Sequence, residues 1–119
     1  PEEDEKAEYY FSKAIEIDNR YIEAFWQRGI YYEQRDNIPN AIKDYTAIIS
    51  LYQKAVSDNT QTMQMEKIVS LALFHKGYIF FDQKQWRKAS NDLKKYLELN
   101  PEDTEVRYDQ QFAEILARE

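Results

Sequence analysis

The sequence predicts an all-α chain, and three features of its composition lead to this prediction. Only two glycines and three prolines occur among 119 residues, which is too few for the many tight turns of a β-sandwich or a β-barrel. Hydrophobic residues make up 43% of the chain, enough to bury the core of one domain of this length. Cysteine is absent, so packing rather than disulfide bridges has to hold that core together.

Six helices are predicted in order from the spacing of apolar residues and from capping residues. Their expected bounds are Glu3 to Asp18, Arg20 to Gln34, Ile38 to Val56, Gln61 to Gln83, Trp86 to Leu99 and Pro101 to Arg118. Asn100 can cap the sixth helix, with Pro101 as its first residue. Before the fourth helix, Asp58 and Gln61 can form a capping pair.

The sequence also matches itself at two fixed offsets, which is the mark of a repeat architecture. Ala7, Phe11 and Ala14 recur 34 residues later as Ala41, Tyr45 and Ile48, and 48 residues further on as Ala89, Leu93 and Tyr96. In the same way Phe25, Gly29 and Tyr32 recur 48 residues later as Leu73, Gly77 and Phe80. Glycine inside a helix costs about 1 kcal/mol relative to alanine. We therefore expect another helix to approach closely at Gly29 and at Gly77.

This 34-residue unit, with an aromatic residue or Leu, then Gly, then an aromatic residue on one helix and Ala-x3-aromatic on the next, resembles the tetratricopeptide repeat. The second copy also closes with Asn100-Pro101, as repeats of this family often do. The resemblance implies a right-handed α-solenoid of antiparallel helix pairs, in a single domain over residues 1–119. Its parts would be the second helix of a truncated repeat (1–19), a full repeat (20–56), a full repeat with an extended first helix (57–101) and a capping helix (102–119).

Two segments depart from the regular repeat. The difference between the two offsets corresponds to 14 inserted residues, which predict an extended helical hairpin near residues 50–70. The last helix is expected to be a solvated cap, because polar residues stand where the earlier helices carry their glycine motif. Its apolar side chains, Tyr108, Phe112, Ile115 and Leu116, are expected to pack back onto the preceding repeat.

In the tetratricopeptide family the first helix of each pair lines a concave groove, and the resemblance places candidate partner-binding residues there. They are Glu23, Trp26, Ile30, Glu33 and Gln34 in the first full repeat, and Leu71, Phe74, His75, Tyr78, Phe81 and Asp82 in the second. Aromatic side chains suit the apolar anchors of a protein or peptide partner, and the carboxylates favour basic flanks. The alternative that individual aromatic residues belong to the core stays open.

No catalytic residue, metal site or cofactor is predicted. His75 is the single histidine, and without a cysteine or a second histidine it can form neither a nucleophile pair nor a metal centre. The net charge of −6 argues against nucleic acid as a partner. The longest hydrophobic passage, Ile68 to Phe81, is interrupted by polar residues, so no membrane span is expected. Glu105 and Asp109 replace cations of the clamp with which one branch of the family holds chaperone tails, which argues against that role.

The sequence therefore predicts a cytoplasmic scaffold for protein–protein interaction, without catalysis of its own. Two alternatives stay open: a structural or self-associating segment of a longer helical-repeat protein, and a regulatory domain of an enzyme encoded elsewhere in the parent chain. The N-terminal helix lacks the partner that a preceding helix would supply, so a homo-oligomer formed through this helix is a further expectation. The acidic start resembles neither a signal peptide nor a natural start, and we interpret the sequence as a fragment.

Overall fold

A computed structural model describes the backbone of residues 2–119 and the side chains from Glu5 onward. Every regular element among these described residues is a helix, as the sequence predicts. The helices are α1 (Glu2–Ile17), α2 (Ile22–Gln34), α3 (Ile38–Ser57), α4 (Met63–Asp82), α5 (Trp86–Leu99) and α6 (Thr104–Ala117). The chain groups into two compact units, Pro1–Val69 and Ser70–Glu119, and the boundary between them falls inside α4.

The two central helices are longer than their neighbours. α3 and α4 have 20 residues each, whereas α2 has 13 and α5 has 14. The lengthening that the 14 inserted residues predict is therefore present in both helices. Ile68 and Val69 in the first part of α4 are buried, so this part of the helix contributes to the core of the first unit.

The start of α6 differs from the prediction. The helix begins at Thr104 because the side chain of Asp103 caps it, accepting the backbone N–H of Val106 at 3.3 Å. Asn100, the predicted cap, instead ends α5. A carboxylate at the N-terminus of a helix is also favoured by the helix dipole, and this favours Asp103 over Asn100.

The start of α4 differs for a similar reason. The hydroxyl oxygen of Thr62 accepts the backbone N–H of Met65 at 3.1 Å, and the helix begins at Met63 rather than at Gln61. Asp58 is not part of a capping pair, because it forms the end of α3. In both helices the capping side chain lies closer to the helix than the sequence pattern indicates.

The turns that follow α2, α3 and α4 share one geometry. Asp36, Asn59 and Lys84 have left-handed φ angles of 59°, 59° and 60°. The residue after each of them donates its backbone N–H to a carbonyl of the preceding helix, at 2.8–2.9 Å. These are the bonds of a Schellman motif, which satisfies the last carbonyls of a helix. Asp36 and Lys84 lie 48 positions apart, so this turn recurs at the offset found in the sequence.

Each unit contains one close approach between helices at a glycine. A Cβ atom added to Gly29 would lie 2.6 Å from Cε1 of Tyr45, and one added to Gly77 would lie 2.6 Å from Cδ2 of Leu93. Tyr45 and Leu93 are both fully buried. No side chain fits between glycine and partner without a shift of the partner. The close approach predicted at both glycines is confirmed.

A buried ion pair lies beside each glycine contact. Arg28 donates from Nε and Nη2 to the two carboxylate oxygens of Asp44, at 2.8 and 2.7 Å. Lys76 Nζ lies 3.5 Å from Oδ1 of Asp92, and both partners of this second pair are 48 positions after those of the first. The hydrogen bond to Asp44 raises the pKa of Arg28. Burial raises the pKa of Asp92, although Lys76 acts in the opposite direction. The fork of Arg28 thus compensates its buried carboxylate more completely than Lys76 does.

The orientation of α6 was predicted incorrectly for two of its apolar residues. The helix buries Val106, Gln110 and Ala113, while Tyr108 and Ile115 remain 72% and 58% exposed. The buried amide of Gln110 donates to the hydroxyl of Ser90 on α5 at 3.1 Å. A polar side chain is stable in this position because it has a hydrogen-bond partner, and its burial turns the apolar face of α6 outward.

Replacing Gly29 by alanine should destabilise the protein by about 1 to 3 kcal/mol, although glycine to alanine usually stabilises a helix. The reason is the rigid ring of Tyr45, which has no room to move away. Urea unfolding of Gly29→Ala, Tyr45→Leu and the double variant measures the effect. We expect the second substitution to relieve part of the first, which gives a favourable coupling energy. Additive effects would contradict the close contact.

Replacing Asp44 by asparagine should cost more stability than replacing Asp92. Asp44→Asn leaves Arg28 without its two charged acceptors, and we expect a loss of about 3 kcal/mol in the free energy of unfolding. Asp92→Asn removes a carboxylate whose charged form burial already disfavours, so we expect a loss of about 1 kcal/mol or less. Equal losses in urea unfolding at neutral pH would contradict this difference.

The same pair gives a pH dependence. The pKa of Asp92 in the folded state is raised above its unfolded value of about 3.9. Its favourable contribution is therefore complete below that value and is lost as the pH rises through the folded pKa. Wild type should gain stability relative to Asp92→Asn when the pH is lowered through this range. A stability difference between wild type and variant that does not change with pH would contradict the prediction.

Candidate partner-binding surfaces

In the first unit, two of the predicted groove residues lie in an open cleft between α1 and α2. We call this the α1–α2 cleft; its volume is about 320 Å³, and its apolar lining consists of Ala7, Phe11, Trp26, Ile30 and Tyr31. The rings of Phe11 and Tyr31 lie 6.3 Å apart in an edge-on contact. Gln27, Gln34 and Arg35 form the polar part of the lining. The cleft can accept apolar side chains between two helices.

The two predicted carboxylates of the first unit both have partners inside the unit. Glu33 accepts the hydroxyl of Tyr45 at 2.6 Å, and Glu23 accepts the side-chain amide of Gln64. Burial, followed by the hydrogen bond to Glu33, raises the pKa of Tyr45 far above its ordinary value. The phenol therefore stays protonated and donates. Glu33 supports the buried ring next to Gly29 in addition to the binding role predicted for it.

In the second unit, the predicted aromatic residues form one contiguous surface. We use the name aromatic surface for Phe74, Tyr78, Phe81 and Tyr96, which are half-buried and pack against the core residues Leu93, Leu97 and Val106. Ring centroids are 4.8 Å apart between Phe74 and Tyr78, and 5.4 Å apart between Phe74 and Tyr96. These rings are neither fully buried nor fully exposed. They can both support the core and contact a partner.

The aromatic surface continues onto the neighbouring helices α5 and α6. The ring of Phe81 lies 5.2 Å from Trp86 and 6.0 Å from Phe112. The sequence analysis did not assign Trp86, Tyr96 or Phe112 to a site. A signal for Phe112 was present, because it lies 34 positions after Tyr78 and thus on the same face of the repeat.

Carboxylates surround this surface and bind its phenols. Tyr78 donates its hydroxyl to Asp109 at 2.6 Å, and Tyr96 donates to Asp103 at 2.7 Å. Burial and the bond to Asp103 raise the pKa of Tyr96 to about 12. For Tyr78, burial raises the pKa most, and Asp109, Asp103 and Glu105 raise it further. The surface is therefore an apolar centre with an acidic rim, a pattern that suits an apolar segment with basic neighbours.

The remaining predicted residues lie at the edges of this surface. Asp82 is exposed at the end of α4, Leu71 is 44% exposed, and His75 is half-buried with its ring 6.0 Å from that of Phe74. Within the described part of the chain, no three histidine or acidic side chains converge where a metal ion could bind. None of the described helices is long and apolar enough to cross a membrane.

Comparisons with known proteins supply no assignment for these surfaces. Neither the models of protein families, nor the curated proteins, nor the solved structures contain a match to this chain. The residues and their geometry are therefore the basis for a functional proposal.

Replacing Tyr78 by phenylalanine should destabilise the second unit by about 1 to 3 kcal/mol, because Asp109 loses a short hydrogen bond to its carboxylate. Tyr108→Phe is the matched control: this tyrosine is 72% exposed, and we expect a change within about 0.5 kcal/mol. Urea unfolding of both variants tests the prediction. A Tyr78→Phe variant as stable as the control would contradict the role of this bond.

Proposed function

We propose that the protein is a helical-repeat interaction module of the tetratricopeptide type, which binds a peptide segment or a protein surface and catalyses no reaction itself. The observation that carries the proposal is the aromatic surface with its acidic rim. Three of its rings stand at the positions that the repeat assigns to the groove. Half-buried aromatic rings are held rigidly by the core, so they lose little conformational freedom when a partner covers them.

The chemistry of the rim defines the ligand. A segment with apolar anchors would cover the rings of Phe74, Tyr78 and Phe81, and flanking lysine or arginine residues would face Asp82, Glu105 and Asp109. Aromatic residues are frequent among the side chains that dominate binding energy, while rim charges mainly set specificity and association rate. We therefore expect the apolar anchors to supply the affinity and the basic flanks to supply the selectivity.

Selection from a random peptide library displayed on phage tests this proposal, because the library samples many combinations of apolar, basic and acidic residues at once. Wild type should enrich peptides with apolar anchors next to lysine or arginine. Phe74→Ala should weaken binding of an enriched peptide by about tenfold or more. Asp82→Lys should also weaken it, with an effect that shrinks as salt is raised.

Controls for the selection come from exposed residues outside the aromatic surface. Met63→Ala and Asp58→Lys change an exposed apolar side chain and an exposed carboxylate, and we expect both to bind the peptide as wild type does. Circular dichroism and urea unfolding establish that each variant is folded. Enriched peptides with acidic flanks, or peptides whose affinity is the same for all folded variants, would refute the proposal.

A further inference from the structure

The helix pairs α1–α2 and α5–α6 occupy equivalent positions in the repeat, but only one of them is covered. Ala7 and Phe11 on α1 correspond to Ala89 and Leu93 on α5, 82 positions later. Ala89 and Leu93 are fully buried, whereas Ala7 and Phe11 are half-buried. The same positions are thus sealed in the second unit and partly open in the first.

The second unit identifies what covers the pair there. Helix α4 lies against α5 through the contact of Gly77 with Leu93, and against α6 through the hydrogen bond from Tyr78 to Asp109. Its residues Phe74, Tyr78 and Phe81 pack around Val106 of α6 and the core of α5. In the first unit the corresponding place is the open α1–α2 cleft. The cleft therefore has the form of a site for a helix with the face that α4 presents.

Helix α6 presents such a face and leaves it exposed. We call it the outer stripe: Tyr108, Phe112 and Ile115, which lie 34 positions after Phe74, Tyr78 and Phe81. Their exposed fractions are 72%, 51% and 58%. In α4 these positions pack against neighbouring helices, and in α6 they face outward. The chain thus carries both an open site for a helix and a helix face that matches the occupant of that site.

The charges at the two places are complementary. Glu105 and Glu119, both exposed, stand at the two ends of the outer stripe. Arg35 lines the cleft, and Lys6 and Lys13 are exposed on α1 beside it. Opposite charges at the edges favour this pairing, whereas two outer stripes would bring like charges together and disfavour a symmetric contact between them.

We propose that copies of this chain associate head to tail, with α6 of one copy occupying the α1–α2 cleft of the next. The contact completes in the first unit the three-helix arrangement of α4, α5 and α6. Because the two surfaces differ, the contact is heterologous and generates an open chain or a ring of copies. It uses the cleft and the outer stripe, and it leaves the rings of Phe74 and Tyr78 to the ligand proposed above.

Sedimentation velocity of wild type and of two double variants tests the proposal. Tyr108→Glu/Ile115→Glu places charge on the outer stripe, and Gln27→Glu/Gln34→Glu places charge in the cleft; all four residues are exposed. Wild type should form species whose mass rises with concentration. Each double variant alone should be monomeric, with self-association weakened by about tenfold or more. High salt should weaken the association of wild type.

The mixture of the two variants gives the sharpest result. Each variant keeps one intact surface, so an equimolar mixture should form a dimer of one copy of each and nothing larger. Val56→Glu/Met63→Glu, two exposed apolar residues outside both surfaces, should associate as wild type does. A monomeric wild type, a mixture that stays monomeric, or association that survives in either double variant would overturn the proposal. Since Phe74 and Asp82 are unchanged, these outcomes are independent of the peptide-binding test.

Discussion

The close approach of helices at Gly29 and Gly77 is the contact on which the rest of the structure depends. Each glycine lets a fully buried side chain, Tyr45 or Leu93, lie directly against the backbone of the facing helix. Any other residue would require the partner side chain to shift, since protein interiors have little free volume. The helix axes are held close at this point, and the neighbouring contacts of each unit follow from that distance.

A buried charge lies beside each of these contacts and adds a second constraint. Asp44 and Asp92 are buried at equivalent positions of the two repeats, each with a cation one residue before the glycine. Removing one member of such a pair leaves an uncompensated charge, so the pair fixes the rotation and register of its helices more than it adds net stability. The glycine sets how close the helices come, and the ion pair sets how they are turned. Together they leave the aromatic rings on one face, half-buried and available to a partner.

Much of the fold could be predicted from the sequence, and the parts that could not depend on contacts between distant residues. The two glycines recur at a fixed offset inside helical patterns, so their close packing was predictable. The start of α6 was not, because it depends on whether Asn100 or Asp103 reaches the free backbone N–H groups. Likewise the aromatic face of α4 follows from the repeat, whereas the hydroxyl bond from Tyr78 to Asp109 joins helices far apart in sequence. Periodicity predicts which residues share a face, but it does not identify their partners.

The account requires that the glycine contact exist in solution, and nuclear magnetic resonance tests it most directly. If Gly29 lies against the face or edge of the Tyr45 ring, its α-protons should show ring-current shifts well outside the usual glycine range and nuclear Overhauser effects to that ring. The α-protons of Gly77 should show Overhauser effects to the methyl groups of Leu93. Ordinary shifts for Gly29 together with the absence of both sets of Overhauser effects would contradict the central claim that these two contacts organise the two units.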